Sequence, residues 1–150
     1  MNNDIKTIEK RINDLIAKNE DSVKGFEKAA ENAKDGGVKI YFEKRVAQRA
    51  LFAKTLHNAA PALDTGDLDV DGTTKGSMHR TWMDVKAFFS SDNDEAMLEE
   101  SVRGDKSAIE EYNEILGDSM VPQRIKEIIR EQRNEIQNDL ETSKILEEFS

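Results

Sequence analysis

Glutamates that recur along the predicted helices are the residues of this chain with the most recognisable chemical use. Carboxylates that face the inside of a four-helix bundle can hold two metal ions, which then support oxidation chemistry or metal storage. Glu20 and Glu27 lie seven residues apart and therefore share one face of the first predicted helix. The candidates on the other three helices are Glu43, Glu99, Glu127 and Glu131. The pattern makes an iron-binding carboxylate bundle one interpretation of the chain.

The histidines do not complete such a site. Di-iron bundles take a Glu-x-x-His motif from each of two helices. In this chain His57 follows Lys54 at that spacing, and His79 follows Gly76. The ligand pattern of a di-iron carboxylate site is therefore incomplete, and we predict no resident cofactor.

Each of the four long predicted helices carries a polar residue midway along an apolar seam. These residues are Asn19, Arg49, Asp105 and Gln132. A buried polar group costs free energy unless it is paired, and a guanidinium on the seam disfavours a metal cation beside it. The candidate partners of Arg49 are Glu20, Glu27 and Asp105. We predict a structural network of arginine and carboxylates at this level, which would specify how the helices pack.

A short acidic segment resembles the start of a calcium-binding loop. Asp67, Asp69 and Asp71 alternate along the chain and are followed by Gly72. Alternate carboxylates can converge on one hard cation, but Met78 stands where such a loop needs a bidentate Glu. A calcium-responsive loop and a solvated acidic turn both remain open.

Composition narrows the class of protein. The 150 residues include 31 acidic and 22 basic side chains, for a formal charge of −9, and no cysteine. The absence of cysteine excludes disulfides and thiolate metal sites. The negative charge disfavours binding to nucleic acid or to anionic membranes, and no apolar run approaches the ~20 residues that span a bilayer. We therefore expect a cytoplasmic protein.

The polar seam residues are positioned by four predicted helices. Apolar residues at steps of three and four predict helices near 4–35, 38–60, 94–116 and 122–149. The segment 61–92 is predicted to be a crossover with a short helix near 78–89. Two hairpins, 4–60 and 93–150, joined by one long crossover predict a single all-α domain, a four-helix bundle of up-down-down-up type.

Several segments resemble an uncharacterised bacterial family that is catalogued as a ferritin-like four-helix-bundle domain of unknown function. The likeness lies in LIAKNEDS at 15–22, GFEKAA at 25–30, FE at 42–43, QR at 48–49 with Phe52, HRTWMDVK at 79–86, LEE at 98–100, and RGD at 103–105 with Tyr112. The HRxWMD run is the most specific part. The resemblance implies a ferritin-like bundle from a bacterium, and it implies no established activity.

We therefore expect a non-enzymatic helical bundle that acts through self-association as a homo-oligomer or through a protein partner, with a stress-related role as one expectation. The alternative is an iron-binding bundle with oxidoreductase or storage activity that uses the glutamates named above. A calcium-responsive loop is the third hypothesis.

Overall fold

The computed structural model describes residues 2–59 and 94–148, and these residues form four helices without strands. The helices are α1 (Asn2–Asn32), α2 (Gly36–Ala59), α3 (Asp94–Leu116) and α4 (Gln123–Glu148). The predicted all-α, four-helix arrangement is confirmed. The predicted crossover and its short helix lie outside the described residues, so the division into two hairpins and a crossover within one domain stays a prediction.

The turn between α1 and α2 differs from the sequence-based expectation. The helices predicted near 4–35 and 38–60 leave Gly36 and Gly37 as the break between them, but in the structure both glycines belong to α2. The reason is Asp35, whose side-chain Oδ2 accepts the Val38 N–H at 3.0 Å and so caps the start of α2. A Cβ at Gly37 would lie 3.0 Å from that carboxylate oxygen, so glycine leaves room for the cap.

Asp94, the first residue of α3, ties this turn to the second hairpin. Its two carboxylate oxygens accept the backbone N–H groups of Lys34 and Asp35, each at 2.9 Å. A carboxylate at a helix N-terminus is also favoured by the helix dipole. One side chain therefore joins the α1–α2 turn to the beginning of α3.

The contacts between helices define their arrangement. Packing is extensive between α1 and α2 and between α3 and α4, and smaller contacts join α1 to α3 and α2 to α4, so α2 and α3 stand at diagonally opposite corners. Arg11 of α1 pairs with Asp118, just after α3, and the backbone N–H of Lys34, just after α1, donates to Asp94 at the start of α3. The order of these contacts along α1 is therefore the reverse of their order along α3.

Two apolar clusters fill the interior, one toward each end of the bundle. The larger cluster lies toward the α3–α4 turn and includes Ile12, Leu56 and Ile129. The smaller cluster lies toward the α1–α2 turn and includes Phe42 and Leu98. Polar side chains occupy the interior between the two clusters, and they form the candidate site described next.

Candidate functional site

Arg49 lies at the centre of the interior polar region. Its side chain is 1% exposed, and its Nη2 donates to Asp105 Oδ1 at 3.0 Å and to Asp139 Oδ2 at 3.3 Å. The guanidinium carbon lies 5.4 Å from the ring centroid of Phe26 and 6.0 Å from that of Phe52. Arg49 is therefore held by two carboxylates and by two aromatic rings, whose faces attract cations.

A second arginine balances the charge of this region. Arg45 pairs with Asp139 Oδ1, and its guanidinium lies 4.9 Å from the centroid of the Tyr41 ring. Two guanidinium groups thus face the carboxyls of Asp105 and Asp139. When both carboxyls are ionised the group is neutral, which limits the cost of burying it.

Asp105 is only partly satisfied by the hydrogen bonds of this group. Its Oδ2 atom is buried and has no hydrogen-bond partner among the described residues. Burial raises the pKa of Asp105 above its usual 3.8, and the opposing attraction of Arg49 does not offset this effect. Arg49 divides its charge between Asp105 and Asp139, which explains why it compensates only in part.

Hydroxyl groups extend the polar region toward the α1–α2 end. Tyr41 donates its hydroxyl proton to the backbone carbonyl of Asp139 at 2.7 Å, and it also contacts the Ser143 hydroxyl. Ser143 Oγ lies 3.0 Å from Ser101 Oγ, which donates to the Leu98 carbonyl at 3.1 Å. This chain of hydroxyls connects α2, α4 and α3.

Tyr112 is the centre of a second polar cluster. Asn19 Nδ2 donates to the Tyr112 hydroxyl at 2.9 Å, and that hydroxyl donates to Gln132 Oε1 at 2.6 Å. Gln132 Nε2 in turn donates to the Phe52 carbonyl at 3.3 Å. Burial raises the pKa of Tyr112, so the phenol stays protonated as this geometry requires. The cluster links all four helices.

The structure places all four predicted seam residues in the interior, but in two clusters. Arg49 and Asp105 pair directly, whereas Asn19 and Gln132 meet through Tyr112. The other carboxylates proposed as partners of Arg49 were Glu20 and Glu27, and both are exposed. The structure thus assigns Arg49 a different second partner, Asp139 of α4.

The interior polar residues that sequence reasoning missed include Asp139, Tyr41, Ser101 and Ser143. The signal for two of them was present: Asp139 and Ser143 continue the stripe that contains Gln132 and Ile136 at steps of three and four. The rotation of α2 that brings Tyr41 to Asp139 depends on packing between helices and leaves no mark on the sequence.

The proposed metal ligands lie on the outside of the bundle. All of them are exposed, namely Glu20, Glu27, Glu43, Glu99 and Glu127, together with Glu131. Glu27 and Glu43 line an open surface groove of about 390 Å³ beside Lys39. Within the described residues, one group of carboxylates comes within 4.8 Å, and it joins Glu99 to Glu95 and Glu147.

The interior therefore does not fit a pair of metal ions. The glutamates that would bind them point to solvent, and the centre of the polar region holds the Arg49 guanidinium between two carboxylates. A permanent positive charge there repels a cation. The calcium-loop candidates Asp67, Asp69 and Asp71 lie outside the described residues.

The arrangement offers packing and charge pairing more readily than bond-making chemistry. The hydroxyls of Ser101 and Ser143 bond to each other, and His57, the histidine carried by α2, is exposed. A serine nucleophile needs an adjacent base that these contacts do not supply. Within residues 2–59 and 94–148, no helix combines the length and apolar character that crossing a membrane would require.

Comparison with models of known protein families assigns the chain to a family. A family model described as a domain of unknown function (DUF2383) matches residues 7–118, so the chain belongs to that family. This confirms the resemblance to an uncharacterised family. The match includes Arg49 and Asp105 and ends before α4, which supplies Gln132 and Asp139. Comparisons with curated proteins and with solved structures find no match.

Proposed function

We propose that this protein is a non-enzymatic helical bundle that acts by binding protein, either another copy of itself or a partner. In this proposal the interior polar region is structural, and it specifies how the two hairpins pack. The observation that carries the proposal is the position of Arg49, which pairs with Asp105 and Asp139 at the level where carboxylate bundles hold metal.

We further propose that the bundle is ferritin-like, with up-down-down-up topology. The order of the contacts supports this topology. Tyr41 and Phe52 of α2 meet Asp139 and Gln132 of α4 respectively, so these two helices run in opposite directions. The same reversal between α1 and α3 makes α2 and α3 parallel, as a long crossover requires. Ferritin likeness is an analogy of fold and brings no iron chemistry with it.

The net charge of the protein supports the proposal that its partner is a protein. A net charge of −9 favours protein partners over nucleic acid or anionic lipid. We propose a bacterial cytoplasmic location, for which the family resemblance and the absence of cysteine are the support.

The alternative is an iron-binding bundle with storage or oxidoreductase activity. The observation that favours it is the surface group of Glu95, Glu99 and Glu147, since Glu99 is also one of the sequence-based candidates. Exposed carboxylates with no buried ligand bind iron weakly and offer little control over its redox state. We therefore rank this function second.

Iron loading distinguishes the two functions. The purified protein is incubated anaerobically with ferrous iron, desalted, and analysed for metal per chain, beside a variant with Glu95→Gln and Glu99→Gln. We expect both proteins to retain far less than one iron per chain. Stoichiometric iron in the wild type would overturn the proposed function, and its loss in the variant would place the iron at the surface group.

A further inference from the structure

The outer face of α2 carries apolar side chains that nothing in the described part of the chain covers. Ile40 is 55% exposed and Leu51 is 60% exposed. Ile40, Lys44, Ala47, Leu51 and Lys54 follow one another at steps of four and three, so they form one line along the helix. The opposite face of α2 is buried in the core. A helix that is apolar on both faces is typical of one that is covered on both faces.

The same face of α2 is basic, in an acidic protein. The helix contains one acidic residue, Glu43, and five Lys or Arg residues, of which Arg45 and Arg49 point into the interior and pair with Asp139 and Asp105. Lys39, Lys44 and Lys54 are exposed. Within residues 2–59 and 94–148, no ion pair joins Lys44 or Lys54 to a carboxylate of the chain. The face thus combines apolar area with positive charge that an acidic surface would complement.

The opposite corner of the bundle supplies such a surface. The exposed charged residues of α3 are four glutamates and two basic residues, whereas Glu100 and Asp105 are buried: Glu95, Glu99, Glu110, Glu114, Arg103 and Lys106. Glu95 and Glu99 are exposed and lie close to Glu147 of α4. Partial burial, followed by the repulsion of Glu99 and Glu95, raises the pKa of Glu147. This surface therefore holds excess negative charge that a lysine-rich partner would relieve.

The diagonal placement of α2 and α3 determines how these two helices can contact a second copy of the chain. The two faces point away from each other on one molecule, so the charge asymmetry cannot be satisfied internally by these helices. In a dimer with twofold symmetry, the α2 face of one copy would meet the α2 face of the other, and their lysines would repel each other. A head-to-tail contact instead sets the basic face of one copy against the acidic face of the next.

We propose that a second copy of this chain docks head to tail, with its acidic α3 face, defined by Glu95 and Glu99, on the basic, apolar α2 face defined by Ile40, Lys44, Ala47, Leu51 and Lys54. This inference rests on the proposed function, because it names the partner through which the bundle acts. Another copy is the favoured occupant because the chain itself carries the complementary surface and always meets it in stoichiometric amount.

Light scattering coupled to gel filtration tests the proposal. We expect the wild-type mass to exceed the monomer mass of 17.0 kDa, to increase with protein concentration, and to decrease with salt as ionic screening grows. Leu51→Glu should lower the mass. So should Lys44→Glu with Lys54→Glu, and Glu95→Lys with Glu99→Lys.

Mixing the two double variants gives the most direct test. An equimolar mixture of the α2-face and α3-face double variants should associate, although each alone is monomeric, because each supplies a face that the other has lost. The matched controls change equal charge elsewhere, on exposed pairs of α1 and α4: Lys24→Glu with Lys28→Glu, and Glu127→Lys with Glu131→Lys. Both controls should retain the wild-type mass, and circular dichroism should show every variant folded.

Three outcomes would overturn the inference. They are a wild type that is monomeric at every concentration and salt, double variants that keep the wild-type mass, and a mixture that stays monomeric. If Leu51→Glu lowers the melting temperature without changing the mass, the chain's own residues cover this face, and the inference also fails. If the protein is a monomer that binds a different protein, this inference fails but the proposed function is unaffected. If the protein retains stoichiometric iron, the proposed function fails, but the masses measured by light scattering do not change.

Discussion

Arg49 of α2 donates to Asp105 of α3 across 3.0 Å, although their helices stand at diagonally opposite corners of the bundle. The long arginine side chain therefore crosses the interior. It reaches Asp139 of α4 at 3.3 Å on the way. One buried side chain thus connects both hairpins, and its removal affects the fold as a whole.

We predict that Arg49→Leu destabilises the protein strongly. The substitution leaves the buried carboxyl of Asp105 without its cation, and breaking a buried ion pair in this way costs about 3–5 kcal/mol. Urea denaturation would measure the change in the free energy of unfolding. Adding Asp105→Asn to Arg49→Leu should recover much of the loss, because the two side chains interact directly.

Arg133 provides the control for this experiment. It follows Gln132 as Arg49 follows Gln48, but its bonds to Asn113 and Asn134 lie at the surface. Arg133→Leu should change the free energy of unfolding by no more than about 0.5 kcal/mol. Equal effects at the two arginines would contradict the structural role given to the interior pair.

We predict that Asp105 makes stability depend on pH. Its pKa is raised in the fold, so the folded chain binds this proton more tightly than the unfolded chain does. Its contribution to stability is complete below the usual value of 3.8 and is lost as the pH rises through the higher folded value. Asp105→Asn should therefore flatten the pH profile of the urea midpoint between 3.8 and the higher folded value.

The matched control for the pH profile is Glu127→Gln, which removes one exposed carboxyl. It should leave the shape of the wild-type profile in place. An Asp105→Asn profile that parallels the wild type would show that Asp105 does not titrate differently in the folded and unfolded chains.

We predict that Tyr112→Phe costs about 1–3 kcal/mol, because it leaves buried polar groups of Asn19 and Gln132 without their shared partner. Unfolding in urea would measure this cost. The double variant Tyr112→Phe with Gln132→Leu should be more stable than the sum of the two single changes implies, since the second change removes an unpaired amide. Simple additivity would argue against a connected cluster.

The two tyrosines of the chain should resist ionisation while it is folded. Burial raises the pKa of both Tyr41 and Tyr112 above 10.0. This contribution to stability is present below 10.0 and is lost as the pH rises through the folded values. We expect phenolate absorbance to appear together with the loss of helical circular dichroism during an alkaline titration. Phenolate that forms before any loss of helix would contradict the burial of these side chains.

The residues that break the apolar seams could be found from the sequence, because a polar residue at a step of three or four is visible without coordinates. Asn19 and Gln132 are examples. The pairing of these residues could not be found, since it depends on the rotation of each helix about its axis. Glu20 shows how sensitive this is: it is adjacent to Asn19, and the turn of ~100° per residue carries it from the interior to the surface.

Helix capping explains why the boundary between α1 and α2 differs from the predicted one. Two successive glycines are typical of a helix end, and this led us to end the first helix there. The carboxylate of Asp35 instead caps α2 and places Gly36 and Gly37 in its first turn. In this chain the boundary is therefore marked by the capping side chain of Asp35 and not by the glycine pair that follows it.

The division of the interior into two apolar clusters implies that the bundle can loosen from one end. The smaller cluster, around Phe42 and Leu98, is separated from the larger one by the polar region. Amide hydrogens near the α1–α2 turn should then exchange with solvent through partial openings that leave the rest of the chain protected. Such openings would begin where Asp94 bonds to the turn, and they would stop at Arg49.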